Sequence, residues 1–444
     1  MTRPSSAAPS RTGPSPVRAE LHASWALFLG IAVLMLGNGL QGTLLGVRAE
    51  LERFPTSATG LIMSSYYLGF LGGSVLTPRA LARVGHIRVF TALTSLASSV
   101  VLLHVLFVNP ASWTLMRLVS GLCMAGLFVV AESWLNDRAT NATRGTLLSL
   151  YMVTQMGAMG AGQFLLNAAD PGDFRLFVLV SVLVSVAAVP MALTAKPGPR
   201  FHELAPVSLG AVFRAAPLGI VGSVGVGLAH GAVFGMGAVY ARSLGLSLPE
   251  VSAFMAATIF GGVVLQAPIG HLSDRFDRRQ VIVAVGFAAA ALAVVGARFG
   301  APGPGLLVLM ALFGGMTIPL YSLCIAHAND YLRPEQMVAA SGSLILASGM
   351  GSVAGPFGAS VLMAVVGSSG FFWILAVVHL IISGYALYRI TRRAPAGEDT
   401  RSEWTPLAPR SSPVVAGLTD ELHDEHQAVD HEEDLDDLPQ QAHR

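Results

Sequence analysis

The chain has 444 residues, of which 53% are hydrophobic and 12% charged, with a mean hydropathy of +0.62 and a formal net charge of +1. Soluble domains carry roughly 25% charged residues, so this composition excludes an ordinary soluble enzyme and points to a lipid bilayer as solvent. The two cysteines, Cys123 and Cys324, both fall in apolar runs and exclude a disulfide framework.

In chain order, a Pro/Ser/Arg-rich leader over residues 1–23 is predicted to be disordered. It precedes an apolar run too long, and too poor in a small-residue cleavage site, for a removable signal peptide. One bilayer crossing takes about 20 mainly apolar residues, because the backbone must satisfy its own polar groups once water is gone. Such runs occur near residues 24–47, 57–79, 87–108, 111–134, 145–168, 174–195, 215–241, 250–271, 280–299, 303–327, 338–366 and 369–391. The expected fold class is an all-α membrane protein with twelve transmembrane helices. They form two six-helix halves, 24–195 and 215–391, joined by a polar connection over 196–214. The halves repeat at an offset of about 190 residues. Residues 392–444 form an acidic tail: thirteen of the 26 acidic residues follow residue 397, against three arginines there. Low hydrophobicity and blocks of like charge predict disorder. The stretches HDEH and HEED within it lack the enclosure of a metal site, so no metal is expected.

Arg and Lys concentrate in alternate connections, among them Arg79, Arg83, Arg88, Arg138, Arg144, Lys196, Arg214, Arg275, Arg278, Arg279 and Arg333. Under the positive-inside rule these face the cytoplasm, with both termini cytoplasmic.

Polar groups inside the runs are few, and a charge there costs about 2.5 to 3.5 kcal/mol on insertion scales. Arg117 follows Pro110 by seven residues, about 11 Å along a helix, and reads as an unpaired charge in the outer half of the membrane. It either lines a cavity or snorkels to the interface. Asn38 and Gln41 share a helix face at i, i+3 spacing and are expected to point inward, while Tyr66, Gln155, Gln163, His230, Gln266 and Tyr321 add hydrogen-bonding groups away from helix ends. Each alone fits an interhelical hydrogen bond; together they fit a solute cavity. Deep carboxylates are missing from this reading, since Glu132 is expected at the cytoplasmic face beside Arg138 and Arg144. If protons are carried, His230 and Glu132 are the first candidates.

The stretch GHLSDRFDRR, residues 270–279, resembles the signature G-x-x-x-D-R-x-G-R-R of the major facilitator superfamily. RLVSG at 117–121 is similar to that family's fourth-helix arginine motif, and AESWLNDRATNATRG at 131–145 to its helix-end glutamate and Arg-Gly pair. Together with SSYYLG, APIGHLSD and SGMGSVAGPFGASVL, the pattern most resembles the YcaD-like branch of inner-membrane exporters, over residues 24–391. The resemblance implies alternating access, with Arg83, Arg88, Glu132, Arg144, Asp274, Arg275, Arg278 and Arg279 as a cytoplasmic gate. In the first copy, PRALARVGHIR places Ala82 at the signature aspartate. Asp274 is therefore expected to latch alone, accepting from the start of a neighbouring helix. Asp277 stands at the signature glycine and is expected to matter little. Gly351, Gly355 and Pro356 read as a hinge or as a packing surface.

Enzyme signatures are lacking: no H-E-x-x-H and no G-x-x-x-x-G-K-[ST] occur, and basic loops are explained by topology rather than by nucleic acid. The expectation is a non-enzymatic, cofactor-free secondary active or facilitative transporter, monomeric in the bacterial inner membrane. It would move a small organic solute, outward by resemblance, with protons as a candidate coupling ion. Asn38, Gln41, Tyr66, Arg117, Gln155, His230 and Tyr321 are the candidate solute contacts. The alternative is a non-transporting membrane sensor or partner protein on the same fold, with the acidic tail as its output.

Overall fold

The computed structural model describes residues 16–138, 141–193, 208–332, 334–392 and 404. The elements are α1 (Pro16–Leu51), α2 (Thr56–Val84), α3 (His86–Leu106), α4 (Pro110–Arg138), α5 (Asn141–Gln163) with a 3-10 turn over Phe164–Ala168, α6 (Arg175–Ala192), the short α7 (Leu209–Ala215), α8 (Pro217–Ser243), α9 (Leu248–Arg275), α10 (Arg278–Phe299), α11 (Pro304–Asn329), α12 (Pro334–Val366) and α13 (Gly370–Arg392). Helix starts follow local chemistry. Ser247 and Glu250 form a capping box on α9, Asp277 accepts the Arg279 N–H at the start of α10, and proline opens α8 and α11. Gly85, at φ +89°, makes the break between α2 and α3, where a side chain would be strained.

Two expectations about the ends need correction. Residues 16–23, read as disordered leader, are the first turns of α1, which are continuous with the apolar run. In the acidic tail, Trp404 packs against Gly270 and donates its backbone N–H to Asp274 at 3.1 Å. The remaining tail and residues 194–207 of the connection lie outside the described residues.

Among the described residues, twelve helices have 18 or more residues, and ten of them are long and apolar enough to cross a membrane. The two that fall short are α2 and α5. Their sequences spend positions on Ser64, Ser65, Tyr66, Tyr67 and Thr77, and on Thr154, Gln155 and Gln163, because these helices face other helices more than lipid. Large apolar side chains such as Leu68, Val182, Val264, Val308 and Ile381 are exposed on the outside of the bundle, as a hydrocarbon solvent allows.

Helices α1–α6 pack among themselves in the same pairings as α8–α13: α2 with α4 as α9 with α11, α1 with α5 as α8 with α12, and α3 with α6 as α10 with α13. Glycines allow the backbones to touch. A Cβ on Gly121 would stand 1.9 Å from the Tyr66 carbonyl, and one on Gly314 would stand 2.0 Å from that of Thr258, its counterpart in the second half. Gly162 against Leu36 and Gly355 against Leu228 repeat the same relation at 2.3 Å. The halves meet through α2 with α12 and α5 with α9.

Gly351 faces the Val224 carbonyl so closely that a Cβ would lie 2.0 Å away, whereas Gly384 has open space around it. Gly351→Ala is therefore expected to destabilise the protein by about 1–3 kcal/mol or more, and Gly384→Ala to leave stability unchanged or improved. Thermal unfolding of the two purified variants checks this; equal midpoints would contradict the backbone contact.

Candidate functional site

A narrow recess lies between the halves. The first half supplies Asn38, Gly39, Gly42 and Thr43 from α1, Tyr66 and Tyr67 from α2, Arg117 from α4, and Met159 and Gln163 from α5; the second supplies Phe234, Gly235 and Met255. Arg117 is its one charged lining residue. The expectation of an unpaired arginine is corrected: Arg117 is 5% exposed, and its guanidinium lies 4.2 Å from the centroid of the Tyr66 ring. An aromatic face is a favourable seat for a cation withdrawn from water. Snorkelling to the interface is excluded by that burial. The Tyr66 hydroxyl in turn reaches Asn38 Oδ1 at 3.5 Å, the outer limit of a hydrogen bond.

Gln163 fixes the α1 side. Its Nε2 donates to the carbonyls of Gly39 at 3.1 Å and Met159 at 3.2 Å, while its Oε1 accepts from the Thr43 hydroxyl. Thr43, Tyr67, Met159, Phe234 and Met255 were missed by sequence reasoning. An apolar or hydroxylic residue inside a transmembrane run carries no signal of which neighbour it faces.

Three of the seven predicted solute contacts, Asn38, Tyr66 and Arg117, meet in this recess; the other four do not line it. Gln41 is buried with its Nε2 lacking a hydrogen-bond partner among the described residues. His230 Nε2 bonds the Thr317 carbonyl at 3.2 Å, and Thr317 Oγ1 in turn meets His379 Nε2 at 2.8 Å, so this histidine serves contacts within the second half. Gln266 reaches Ser322 at 3.3 Å. Gln155 and Tyr321 belong to a separate polar cluster around Glu132. That carboxylate, expected at a face, is completely buried and accepts from the Tyr151 hydroxyl at 3.1 Å, while Gln155 Nε2 approaches the same hydroxyl at 3.4 Å. The side chains of Arg138 and Arg144, its expected partners, lie outside the described residues.

The charged signature holds one helix corner together. Arg278, 3% exposed at its side chain, pairs with Asp330 Oδ1 at 2.6 Å and Asp274 Oδ1 at 3.2 Å, and donates to the Ala326 carbonyl at the end of α11. Asp274 thus accepts from Arg278 one turn away and from Trp404, not from the start of another helix as expected. Asp330, unmarked by any motif, is the buried partner. Asp277 also departs from expectation. It caps α10 and holds Arg279 at 2.7 Å. Burial alone would raise its carboxyl, but the hydrogen bonds from the Arg279 side chain and backbone outweigh this and hold it below the usual carboxylate range. Arg275 is exposed, as are Arg83 and Arg88 in the first copy, where His86 Nε2 bonds Ser133 Oγ at 2.9 Å instead. Around Pro356, Gly351 and Gly355 pack against α8, and the Phe357 N–H donates to Ser64 Oγ of α2 at 3.1 Å, across the halves.

Comparison with known proteins agrees with this arrangement. A family model described as Major Facilitator Superfamily matches residues 219–420. An uncharacterized MFS-type transporter of Enterobacter sp. strain 638 is 29% identical over 359 residues, covering 80% of this chain and 92% of the relative. The chain is thus similar over most of its length to transporters of the major facilitator superfamily. The YcaD protein of Escherichia fergusonii, also an uncharacterized MFS-type transporter, is 27% identical over the same 80% of this chain and 92% of its own. Among solved structures, a mutant of the nucleoside transporter NupG superposes with a TM-score of 0.73 at 13% identity, covering 84% of this chain and 99% of that one. A bacterial homolog of the human lysosomal transporter Spinster, inward-facing and occupied, gives 0.67 at 15% identity, covering 89% and 100%. With ten helices long and apolar enough to cross a membrane among the described residues, this likeness supports a multi-pass membrane protein of the transporter fold.

The two acids on Arg278 are predicted to differ in weight. Asp330→Asn leaves a buried guanidinium short of its main counter-charge and is expected to cost about 3–5 kcal/mol. Asp274 is 37% exposed, so Asp274→Asn is expected to cost under about 1 kcal/mol. Thermal unfolding in detergent measures both. A larger loss for Asp274→Asn would reverse the assignment.

Proposed function

We propose that this protein exports a small organic anion from the cytoplasm by alternating access, binding it in the recess between the halves. The observation that carries the reading is Arg117. It is a buried cation on an aromatic ring, with Asn38 and Thr43 offering hydrogen bonds and Tyr67, Phe234, Met159 and Met255 offering apolar contact. A carboxylate joined to a flat or apolar body suits such a lining, because the guanidinium fork recognises carboxylates in a planar, paired fashion. Cytoplasmic termini follow from the distribution of arginines, and outward transport follows from the likeness to the YcaD-like branch. The monomer suffices, since both halves of the recess come from one chain.

The contacts that join the halves support an alternating mechanism. Glu50 with Arg242 at 3.0 Å, Asn167 with Ser252 at 3.2 Å, Ser64 with Phe357, and Gly60 against Ser360 all lie toward the face of the α1–α2 and α8–α9 turns. That face is the outer one in the topology proposed here, and its closure corresponds to an inward-facing state. Protons are the proposed coupling ion, with buried Glu132 and its Tyr151 partner the groups best suited to carry one. One neighbour of the fold, FucP of E. coli, is a fucose:proton symporter.

Reconstituted protein should move one or more organic anions from a metabolite mixture across proteoliposomes, faster with a pH gradient than without. Arg117→Ala is expected to weaken apparent affinity about 10- to 100-fold, with Arg117→Lys intermediate. Transport of a neutral solute unaffected by Arg117→Ala would defeat the proposal. A disulfide between Ser64→Cys and Phe357→Cys should stop transport, and reduction should restore it; undiminished transport while cross-linked would rule out opening at that face.

A further inference from the structure

A second, shallow recess open to solvent lies in the second half, away from the solute site. Its walls are the α7–α8 junction (Ala215, Ala216, Pro217, Leu218), Arg279 at the start of α10, His327 and Tyr331 at the end of α11, and Arg389 in the last turn of α13. The transport reading uses none of its groups except Arg279.

Its chemistry is cationic. Arg279 is neutralised by Asp277, and its neighbour Arg278 by Asp330 and Asp274. Arg389, half-buried at the rim, forms no ion pair with another described residue. His327 adds a second nitrogen-bearing side chain to the lining. It is 5% exposed and makes an edge-on contact with the Tyr331 ring at 5.1 Å. The α8 N-terminus completes the lining: Pro217 has no N–H, and the Leu218 N–H, second in the helix, has no intrahelical acceptor. The positive end of a 27-residue helix thus faces the same space as two arginines.

We propose that this recess binds the phosphate group of a phospholipid or of free inorganic phosphate, with Arg389 and Arg279 as counter-charges and His327 and the Leu218 N–H as donors. The surroundings favour the lipid source. Phe213 on α7 and Leu387 and Tyr388 on α13 are exposed apolar side chains near the walls, and Arg392 lies 5.3 Å from the Tyr388 ring centroid. This mix of aromatic, apolar and basic groups is characteristic of the membrane–water interface, where basic pockets between helices take lipid headgroups. A headgroup seated there would tie α8, α10, α11 and α13 together at one end of the half.

The test uses the full-length protein purified in a nonionic detergent and does not depend on transport, so its outcome is separable from that of the proposed export. Native mass spectrometry gives the apparent affinity for phosphatidylglycerol and for a diacylglycerol that lacks phosphate. Thermal unfolding with inorganic phosphate against chloride at equal ionic strength probes the free anion. Phosphatidylglycerol is expected to bind in preference to the diacylglycerol, about tenfold more weakly in Arg389→Gln, while Arg389→Lys and the nearby Arg392→Gln stay close to wild type. His327→Gln, which retains a donor, should weaken binding less than His327→Leu. Stabilisation by inorganic phosphate that Arg389→Gln removes would assign the free anion as an occupant of the same site. Equal responses of wild type, Arg389→Gln and His327→Leu to both ligands would overturn the proposal.

Discussion

The constraint on which this structure rests is that helices in lipid gain little by hiding apolar surface from one another, so they must approach until backbones touch. Glycine supplies that approach at the same places in both halves: Gly121 and Gly314, Gly162 and Gly355. At these points a carbonyl of the partner helix occupies the space a side chain would need. The pairing order of six helices follows from where those small residues fall. The recess follows in turn, because the glycine contacts hold α1 against α5 and α2 against α4, leaving Arg117, Tyr66, Asn38 and Gln163 to face the opposite half.

Charge is handled by the same economy. A guanidinium withdrawn from water needs either a counter-charge or a polarisable face, and the two halves use different solutions. In the second, Arg278 has Asp330 and Asp274 around it at a helix corner. In the first, Ala82 stands where the acid would be, and the corner is held by a neutral bond from His86 to Ser133. Among the described residues, the ionic corner belongs to the second half. Its bonds run among α9, α10 and α11, with Trp404 added from the tail, so its direct effect is to fix the geometry of that half.

Much of this was legible in the sequence because bilayer solvent imposes a coarse rule that a linear chain cannot hide. Long apolar runs became helices, and the repeat at about 190 residues became two matching sets of contacts. The recess was legible only where polarity made a residue conspicuous, as with Arg117, Tyr66 and Asn38. It was not legible where the answer depended on rotation about a helix axis: Gln41, three residues from Asn38, turns away, whereas Thr43 and Met159 turn in. Asp330 was invisible for another reason. Its role exists only because α11 ends beside α10, a tertiary fact with no local pattern. Glu132 shows the same limit from the other side, since distance along a helix gave its depth but not the enclosure that buries it.

Pro356 shows how a local irregularity becomes an intermolecular-scale contact between halves. Proline lacks an N–H, so the helix ladder loses a bond at this turn. The next residue, Phe357, sends its N–H to Ser64 on the opposite half, while the proline ring itself packs on Gly235. A hydroxyl partner is weaker than a helix carbonyl held in register, and it sits on a helix of the other half. Under the proposed alternating access, this bond breaks without unwinding α12. The glycines one and five residues earlier pack against α8. Gly351 and Gly355 thus fix the helix to its own half, and in the mechanism proposed above the turn at Pro356 is its releasable hold on the other.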